Sequence, residues 1–435
     1  MNIKDKELNI AIIGLGYVGL PLAIEFGKVF STVGFDINQT RIKELNKNND
    51  TTLEVDSAEF VKSSMLALTS DERDLSSSNI FIVTVPTPLD INSQPDLESL
   101  KKACLTVGTY LKPNDIVVFE STVYPGATEE YCVPILEKKS GLMYIHEKNK
   151  NTNKNGFYCG YSPERINPGD KERSLKEIIK VTSASTTEAL EVIDDLYNSI
   201  LNTGTIRASS IKIAEAAKVI ENTQRDVNIA LINEFSLIFK KLSIDTEEIL
   251  KIASTKWNFN PFSPGLVGGH CIGVDPYYLA YKAINSGYYP KLILSGRETN
   301  NKMGFNIADE VITIMAKKRI SVLNAKVLIL GFTFKENCPD IRNTRVIDII
   351  SELDTFGCHV DVYDPMVDQE KIMSEYSINL VSELNTNTYD AIVLAVAHQQ
   401  FKDMGIANIR NYAKENHVIY DVKYLFKPDE VDGRL

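Results

Sequence analysis

One cysteine in this 435-residue chain lies in a setting suited to covalent chemistry. Cys271 stands in the glycine-rich segment Gly-Gly-His-Cys-Ile-Gly-Val-Asp at 268–275. A thiolate there can add to an aldehyde and, after loss of a hydride, leave a thioester that water cleaves. Asp275 is a candidate for orienting a lysine or a water, with a buried structural carboxylate as the alternative. Because adjacent side chains usually point apart, we do not favour His270 as the base for Cys271.

A glycine-rich turn near the N-terminus has the spacing of a dinucleotide-binding loop. Gly14, Gly16 and Gly19 lie between a predicted strand and a predicted helix, whose N-terminus would face a pyrophosphate. Asp36 ends the next predicted strand, where a carboxylate accepts ribose hydroxyls and repels a 2′-phosphate. The pattern predicts NAD rather than NADP as the cofactor. A purely structural turn is the alternative.

Four polar residues outside the cysteine segment are candidates for the reaction. Lys218 and Asn222 are four apart in a predicted helix, so they share a face on which an ammonium and an amide can stabilise an oxyanion. Thr122 follows a predicted strand, at the edge where doubly wound sheets bind ligands. Glu164 lies in a proline-bounded loop and is a candidate water-activating base. For each residue taken alone, a structural role is the alternative.

Basic residues cluster early in a second α/β segment. Lys335, Arg342 and Arg345 follow the strand-like sequence Lys-Val-Leu-Ile-Leu-Gly at 326–331. Such a cluster suits a diphosphate group. A surface network of salt bridges is the alternative interpretation.

Length and composition restrict the class of protein. The chain is too long for one ordinary core, so two or three domains are expected. Its 43% hydrophobic and 24% charged residues are typical of a soluble globular protein, and the net charge of −11 argues against general nucleic-acid binding. A charged N-terminus and strand-length apolar runs predict neither a signal peptide nor a membrane span.

The six cysteines show neither Cys-x-x-Cys nor metal-ligand spacing. We therefore expect no metal site, and reduced thiols in a cytoplasmic protein. Apart from Cys271, the cysteines are expected to be small buried residues.

Alternating strands and helices predict an α/β fold with two Rossmann-type doubly wound parallel sheets joined by a long central helix. Strands of the first sheet are predicted at 8–14, 32–36, 80–85 and 116–120. Strands of the second sheet are predicted at 326–331, 359–363, 391–395 and 418–421, with a helix near 345–356. The central helix is predicted at 209–242, and the polar stretch 146–156 is predicted to be a solvated loop, with a mobile lid as the alternative.

The order of seven segments resembles the UDP-glucose/GDP-mannose dehydrogenase superfamily over essentially the whole chain. They are Gly-Leu-Gly-Tyr-Val-Gly-Leu-Pro (14–21), Val-Pro-Thr-Pro (85–88), Glu-Ser-Thr-Val-Tyr-Pro-Gly (120–126), Ser-Pro-Glu-Arg (162–165), Glu-Ala-Ala-Lys-Val-Ile-Glu-Asn (215–222), Gly-Gly-His-Cys-Ile-Gly-Val-Asp (268–275) and Gly-Phe-Thr-Phe-Lys (331–335). The segments at 162–169 and 268–279 look most like the branch that oxidises UDP-N-acetylhexosamines (GlcNAc or GalNAc) at C6.

The resemblance implies a role for each matched residue. Cys271 corresponds to the nucleophile that forms a thiohemiacetal and then a thioester, and Asp275 to a carboxylate near the catalytic water. Thr122 corresponds to a residue beside the nicotinamide and that water, and Glu164 to a carboxylate used in thioester hydrolysis. Cofactor contacts are implied at Gly14, Gly16, Tyr17, Val18, Gly19, Asp36, Arg41, Pro86, Thr87 and Thr122. Substrate contacts are implied at Glu164, Arg165, Lys218, Asn222, Gly268, Lys335 and Arg342.

The resemblance also implies the domain organisation. We expect an NAD-binding Rossmann domain at 1–205, a central helical domain at 206–310 with the dimer interface and the cysteine loop, and a Rossmann-like UDP-binding domain at 311–435. The expected assembly is a homodimer through the central helix.

Two positions depart from the pattern of relatives. Many relatives carry Asp-x-Arg near the last strand, whereas this chain has Asp421 followed by Lys423, and lysine lacks the planar fork of arginine. Where relatives supply an arginine across the dimer, this chain has Lys256.

These observations predict an NAD-dependent UDP-sugar 6-dehydrogenase that oxidises the C6 alcohol of a UDP-N-acetylhexosamine twice, giving a UDP-uronic acid suited to surface polysaccharide synthesis. UDP-glucose and UDP-ManNAc are alternative substrates within the same superfamily. A single-step hydroxyacid dehydrogenase is the runner-up, although it has no use for Cys271 or for a second Rossmann half. A nucleotide-sugar sensor is the non-enzymatic alternative.

Overall fold

The computed structural model describes residues 7–151, 155–165 and 175–435. The chain folds into two compact units. The first consists of Met1–Glu221 with Tyr277–Tyr288, and the second of Asn222–Pro276 with Tyr289–Leu435. The division into three domains stays a prediction.

The first unit is built on a parallel sheet. Its strands are β1 (Asn9–Ile13), β2 (Ser31–Phe35), β3 (Leu66–Thr69), β4 (Ile80–Val83), β5 (Ile116–Phe119), β6 (Met143–Tyr144) and β7 (Gly156–Tyr161). Within the described residues they form seven neighbouring strands in the order β3-β2-β1-β4-β5-β7-β6. The residues of β4 and β5 are all buried, as expected for strands covered on both faces by helices. A separate pair consists of β8 (Lys180–Thr182) and β9 (Thr205–Arg207).

Helices of the first unit cover this sheet. They are α1 (Gly19–Phe26), α2 (Gln39–Leu45), α3 (Ser57–Lys62), α4 (Glu98–Tyr110), α5 (Val133–Ser140) and α6 (Thr187–Asn198). Polar side chains mark several starts: Asn38 accepts from two backbone N–H groups of α2, and Thr186 accepts from Ala189 in α6. Helices α1 and α6 meet through the rings of Phe26 and Tyr197, whose centroids are 5.7 Å apart.

The long central helix is confirmed as α7 (Ile211–Lys241), 31 residues that contain no glycine or proline. Three further helices follow it that the sequence pattern did not predict. They are α8 (Thr246–Ala253), α9 (Asp275–Asn285) and α10 (Lys291–Lys317).

The second unit contains the other predicted sheet. Its strands are β10 (Lys326–Leu330), β11 (His359–Tyr363), β12 (Tyr389–Leu394), β13 (Ala413–Asp421) and β14 (Gly433–Arg434), with helices α11 (Val346–Thr355), α12 (Gln369–Tyr376) and α13 (Gln399–Arg410). The strand order is β11-β10-β12-β13-β14, and all pairs are parallel. The predicted α/β fold with two doubly wound sheets is therefore confirmed.

The strand order reverses at one point in each sheet. In the first sheet β1 lies between β2 and β4, and in the second β10 lies between β11 and β12. The loops that leave these strands on opposite faces open a crevice at their carboxyl ends, where such folds bind ligands. Each unit therefore has one crevice at the carboxyl edge of its sheet. Several candidate residues follow the strands that end at these edges.

Two other expectations concern loops and membranes. In the predicted loop 146–156, residues 147–151 form turns, Asn155 forms a bend, Gly156 already begins β7, and 152–154 lie outside the described residues. In the described parts of the chain, no helix combines the length and apolar content needed to cross a bilayer.

Candidate active site

The glycine turn after β1 has the geometry of a phosphate-binding loop. Gly14 has φ of +97°, a left-handed conformation that favours glycine. A Cβ on Gly19 would lie 1.9 Å from the carbonyl oxygen of Gly14, so α1 approaches the strand closely only because this residue is glycine. A Cβ on Gly16 would meet no protein atom within 4 Å. The open space at Gly16 fits a cofactor pyrophosphate at the N-terminus of α1.

Asp36 and Arg41 hold this turn from two sides. The Asp36 carboxylate accepts from the backbone N–H of Leu15 at 2.8 Å, and the Arg41 Nε donates to the Leu15 carbonyl at 3.1 Å. Arg41 is buried and pairs with Asp50 at 2.7 Å. The resemblance implied that Arg41 contacts the cofactor, whereas in the structure its guanidinium bonds to the loop backbone and to Asp50. Tyr17 and Val18, which follow the turn, are half-buried.

The turns after β4 and β5 are tied together. The Thr87 hydroxyl donates to the Thr122 carbonyl at 2.7 Å. The Tyr278 hydroxyl donates to the Thr87 and Pro88 carbonyls at 3.0 and 3.2 Å, and the Tyr278 side chain is fully buried. Pro86, which directly precedes Thr87, is exposed. The arrangement holds Thr122 at the carboxyl edge of the first sheet. Sequence reasoning missed Tyr278, although the apolar face of α9 was the available signal.

A buried carboxylate on α7 holds the next segment of the Thr122 turn. Glu215 is fully buried and accepts from the backbone N–H groups of Gly126 and Thr128, at 2.5 and 2.8 Å. Burial raises the Glu215 pKa to about 7, against the lowering effect of these bonds. Glu215 thus links the turn to the helix that carries Lys218, three residues further on. It lies in a segment quoted for the family resemblance but was not predicted to act.

Glu164 lies three residues after the end of β7, at the same carboxyl edge as Thr122. The Glu164 carboxylate lies 3.7 Å from the Lys180 ammonium, and its Oε1 accepts from the Arg165 backbone N–H at 2.5 Å. The Arg165 guanidinium lies 3.5 Å from Glu221 on α7. The rest of the matched segment, 166–169, lies outside the described residues.

Cys271 differs from the other cysteines in exposure. It is half-buried, whereas Cys104, Cys132, Cys159, Cys338 and Cys358 are buried, as predicted. The Cys271 carbonyl accepts from the N–H groups of Val274 and Asp275, at 3.1 and 2.9 Å, so the loop turns tightly into α9. The thiol therefore lies on a short turn at the start of a helix.

Asp275 holds one of the predicted catalytic groups. Its Oδ2 accepts from the Asn222 amide at 2.6 Å, and both side chains are buried. Sequence reasoning expected Asp275 to orient Lys218 or a water and did not anticipate this bond. Lys218 lies one turn before Asn222 on α7 and is also buried. The carboxylate thus fixes the amide of a pair that helix periodicity places on one face.

His270 is poorly suited to deprotonate Cys271. Burial, reinforced by the charge of Arg342, lowers the His270 pKa to about 4. At neutral pH the imidazole is therefore neutral and only weakly basic.

A cavity in the second unit opens at the carboxyl edge of its sheet. It is lined by Leu266 and Gly268 of the cysteine loop, by 333–336 after β10, by 344–346 at the start of α11, by Ala395 and Val396 after β12, and by Lys423. A Cβ on Gly268 would lie 2.7 Å from the Asn343 carbonyl, so close packing of the loop requires a glycine there. The cavity combines backbone turns with basic side chains.

The basic residues of this region have different partners. Lys335 and Lys423 line the cavity, and neither ammonium forms a hydrogen bond or ion pair with any residue that the structure describes. Arg345 also lines it but pairs with Asp348 at 2.6 Å. Arg342 does not line it and forms a two-pronged contact with Asp340. The predicted cluster is thus divided: Lys335 faces the cavity, whereas Arg342 is held beside it.

Behind the cavity, Asp364 holds the turn after β10. Its carboxylate accepts from the N–H groups of Phe332 and Thr333, at 2.6 and 3.1 Å, and contacts His398 Nε2 at 3.1 Å. His398 Nδ1 accepts from the Asn337 N–H at 2.9 Å, so the proton of a neutral imidazole lies on Nε2. Despite burial, the bonds from His398 and the backbone lower the Asp364 pKa.

Together, a dinucleotide-binding sheet and a second sheet with a basic cavity are typical of a nucleotide-dependent dehydrogenase. Three models of one family match the chain: the NAD binding domain over residues 8–201, the central domain over 212–302 and the UDP binding domain over 328–428. The chain belongs to the UDP-glucose/GDP-mannose dehydrogenase family. NAD is its cofactor, and the residues around the glycine turn fit it.

Similar proteins cover the full length of the chain. It is 57% identical to a UDP-N-acetyl-D-glucosamine 6-dehydrogenase of Pseudomonas aeruginosa, over 99% of this chain and 100% of that one. It is 55% identical to a UDP-N-acetyl-D-glucosamine 6-dehydrogenase of Salmonella typhi, over 99% of both chains. The solved structure of a UDP-D-ManNAc dehydrogenase from Pyrococcus horikoshii is 30% identical, with a TM-score of 0.87 over 98% of both chains.

Proposed function

We propose that this protein oxidises the C6 alcohol of UDP-N-acetyl-D-glucosamine to the carboxylate in two successive NAD-dependent steps. The proposal rests on sequence identities of 57% and 55%, over 99% of the chain, to two proteins named UDP-N-acetyl-D-glucosamine 6-dehydrogenase. Identity to the UDP-D-ManNAc dehydrogenase is 30%, which favours the gluco over the manno sugar. The product, a UDP-uronic acid with an N-acetyl group at C2, suits surface polysaccharide synthesis.

In the proposed first oxidation, the C6 hydroxyl releases its proton to solvent and the C6 carbon loses a hydride. Bound NAD supplies the hydride acceptor. Lys218 and Asn222 stabilise the charge that develops on the reacting oxygen. The 2.6 Å bond from Asn222 to Asp275 supports this role, since it fixes the amide before substrate binds.

In the proposed second oxidation, the Cys271 thiolate adds to the aldehyde carbon and forms a thiohemiacetal. Loss of a second hydride leaves a thioester. Glu164 then takes a proton from the water that cleaves this thioester. The half-buried position of Cys271, in contrast to the five buried cysteines, supports this assignment.

Substrate binding is proposed to depend on the cavity in the second unit. Lys335 and Lys423 bring two positive charges to its wall, which suits the two phosphates of a UDP-sugar. Lys423 stands where many relatives have arginine, and its ammonium contacts a phosphate or a hydroxyl as a point charge rather than as a fork. Lys256 is exposed and does not line the cavity.

The proposed assembly is a homodimer through α7. Four large apolar side chains of this helix are exposed: Ile213, Ile220, Leu231 and Ile238. At about 100° per residue their spacing places all four within about 20° on the helix surface. An exposed apolar stripe of this length favours burial against a second copy.

A panel of nucleotide sugars tests the proposed function. Purified protein with NAD is given UDP-GlcNAc, UDP-GalNAc, UDP-ManNAc, UDP-glucose or GDP-mannose, and NADH and product are measured. We expect the highest kcat/KM with UDP-GlcNAc, two NADH per sugar and a carboxylate product. A single NADH per substrate would favour the hydroxyacid dehydrogenase, and a lack of turnover would favour the sensor. A higher kcat/KM with another sugar would reassign the substrate.

A further inference from the structure

We infer that Lys180 is a positioning residue for thioester hydrolysis, holding Glu164 and the Thr122-bearing turn in place for the attacking water. The inference rests on the proposed function and extends it to a buried cation that the two oxidations do not use. Lys180 lies on β8, outside every segment that the sequence analysis singled out.

The Lys180 ammonium connects two turns at the carboxyl edge of the first sheet. Nζ lies 2.7 Å from Glu120 Oε2, 3.3 Å from the Pro163 carbonyl and 3.7 Å from Glu164 Oε2. Glu120 directly follows β5, two residues before Thr122. Pro163 directly precedes Glu164. One cation therefore links the backbone and side chains of the two segments that carry proposed catalytic groups.

Buried neighbours hold the Lys180 side chain in place. Its side chain is 3% exposed, and Nζ lies 5.0 Å from the ring centroid of Tyr197. The Tyr197 hydroxyl donates to the other oxygen of Glu120. Because Glu120 and Tyr197 are fully buried, the ammonium has little freedom to move away from Glu164.

The charges of this cluster distinguish it from a simple buried ion pair. One ammonium faces two carboxylates, Glu120 and Glu164. Burial raises the Glu120 pKa to about 7; the Lys180 charge opposes this rise and the Glu164 charge adds to it. A structural pair needs only Glu120 to neutralise Lys180. The second contact acts on Glu164, the more exposed of the two carboxylates, and favours a fixed direction of its side chain.

This position matters for one step of the reaction. The water oxygen bonds to the acyl carbon, one water proton passes to the Glu164 carboxylate, and the C–S bond breaks with its electron pair going to the Cys271 sulfur. The resulting carboxylic acid releases the second proton to solvent. Neither hydride transfer requires Glu164, and without Lys180 the Thr122 turn keeps its bonds to Thr87 and Glu215, so loss of Lys180 should slow hydrolysis selectively.

Pre-steady-state kinetics of Lys180→Met tests the inference. With saturating NAD and UDP-GlcNAc, we expect rapid formation of two NADH per active site, then a steady state slowed by about 10- to 100-fold, the scale of a misplaced general base. Intact mass should show a UDP-acyl adduct that is lost in a Cys271→Ser background. Lys180→Arg should restore part of the steady-state rate, because it keeps the charge.

The matched control is Lys28→Met. Lys28 pairs with Glu25 and Glu59 in the same unit, at 2.7 and 2.6 Å, and its loss should leave both kinetic phases unchanged. If Lys180→Met does not fold, because Glu120 is left unpaired, Lys180→Met with Glu120→Gln replaces it. Equal slowing of the burst and the steady state, or no change in either, overturns the inference. Fewer than two NADH per UDP-sugar in the wild-type protein instead overturns the proposed function.

Discussion

The Asp36 carboxylate accepts a hydrogen bond from the Leu15 backbone N–H, with 2.8 Å between Oδ2 and N. The second sheet repeats the relationship, since Asp364 Oδ2 accepts from the Phe332 N–H at 2.6 Å. In both sheets a carboxylate after the second strand thus holds the glycine turn after the first. The same physical device shapes the proposed cofactor edge and the proposed substrate cavity.

Cofactor choice should depend on Asp36. A 2′-phosphate would meet its negative charge, so we expect kcat/KM with NADP at least about tenfold below that with NAD, given about 1.5–3 kcal/mol for a charge-assisted bond. Asp36→Ser should narrow this ratio. The control is Asp364→Ser, which should weaken substrate binding and leave the NAD to NADP ratio unaltered. Equal use of both cofactors by the wild-type protein would remove the role given to Asp36.

Lys335 and Arg342 should differ in their effect on UDP binding. Lys335→Ala removes a cavity-facing ammonium, and we expect a loss of UDP affinity of about tenfold or more with little change for NAD. Arg342→Ala should have the smaller effect, because its guanidinium is bound to Asp340. Calorimetric titration with UDP measures both. Unaltered UDP affinity in Lys335→Ala would favour the alternative interpretation of the basic cluster as a surface network of salt bridges.

Cys271→Ser should separate the two oxidations. A hydroxyl is a much weaker nucleophile near neutral pH than a thiolate, so the variant should release at most one NADH per UDP-sugar. Cys358→Ser is the matched control, because Cys358 is buried and a hydroxyl can keep its bond to the Val322 carbonyl; it should give two NADH. Two NADH at near wild-type rate from Cys271→Ser would falsify the covalent mechanism.

The exposed stripe on α7 should control assembly. Replacing Ile220 and Leu231 together by lysine places two charges in the proposed interface, and we expect sedimentation equilibrium to give the mass of a monomer. Ile91→Lys serves as the control, because Ile91 is fully exposed and does not belong to this helix. For this variant we expect sedimentation equilibrium to give the mass of a dimer. An unchanged dimer in the double variant would place the interface elsewhere.

Glu215 should make stability depend on pH in a defined window. Burial raises its pKa from an ordinary value near 4.5 to about 7, so the folded state binds the proton more tightly than the unfolded state. The stability that this tighter proton binding contributes is fully present below about pH 4.5 and is lost as the pH rises through about 7. The melting temperature of Glu215→Gln minus that of the wild type should therefore rise over this range.

Glu59→Gln is the control for Glu215. Bonds from Lys28 and Lys62 lower the Glu59 pKa to about 2, so its stabilising effect is lost as pH falls and not as it rises. The melting temperature of Glu59→Gln minus that of the wild type should stay nearly constant between pH 4.5 and 7. A flat difference for Glu215→Gln as well would show that this carboxyl titrates normally.

The local sequence by itself determined much of this protein. The glycine spacing of residues 14–19 specifies a turn through backbone sterics, alternating apolar runs specify two parallel sheets, and the periodicity of α7 places Lys218 and Asn222 on one face. These features could be predicted because each depends on residues close together in the chain.

Only the tertiary structure decided the partners of the charged groups. Asn222 donates to Asp275, 53 residues away, and Lys180 pairs with Glu120, 60 residues away. Arg342 pairs with a nearby carboxylate while Lys335 faces a cavity, although both belong to one basic cluster in the sequence. The physical reason is that residue type and spacing specify local backbone geometry, whereas the direction and partner of a long side chain depend on which distant elements pack beside it.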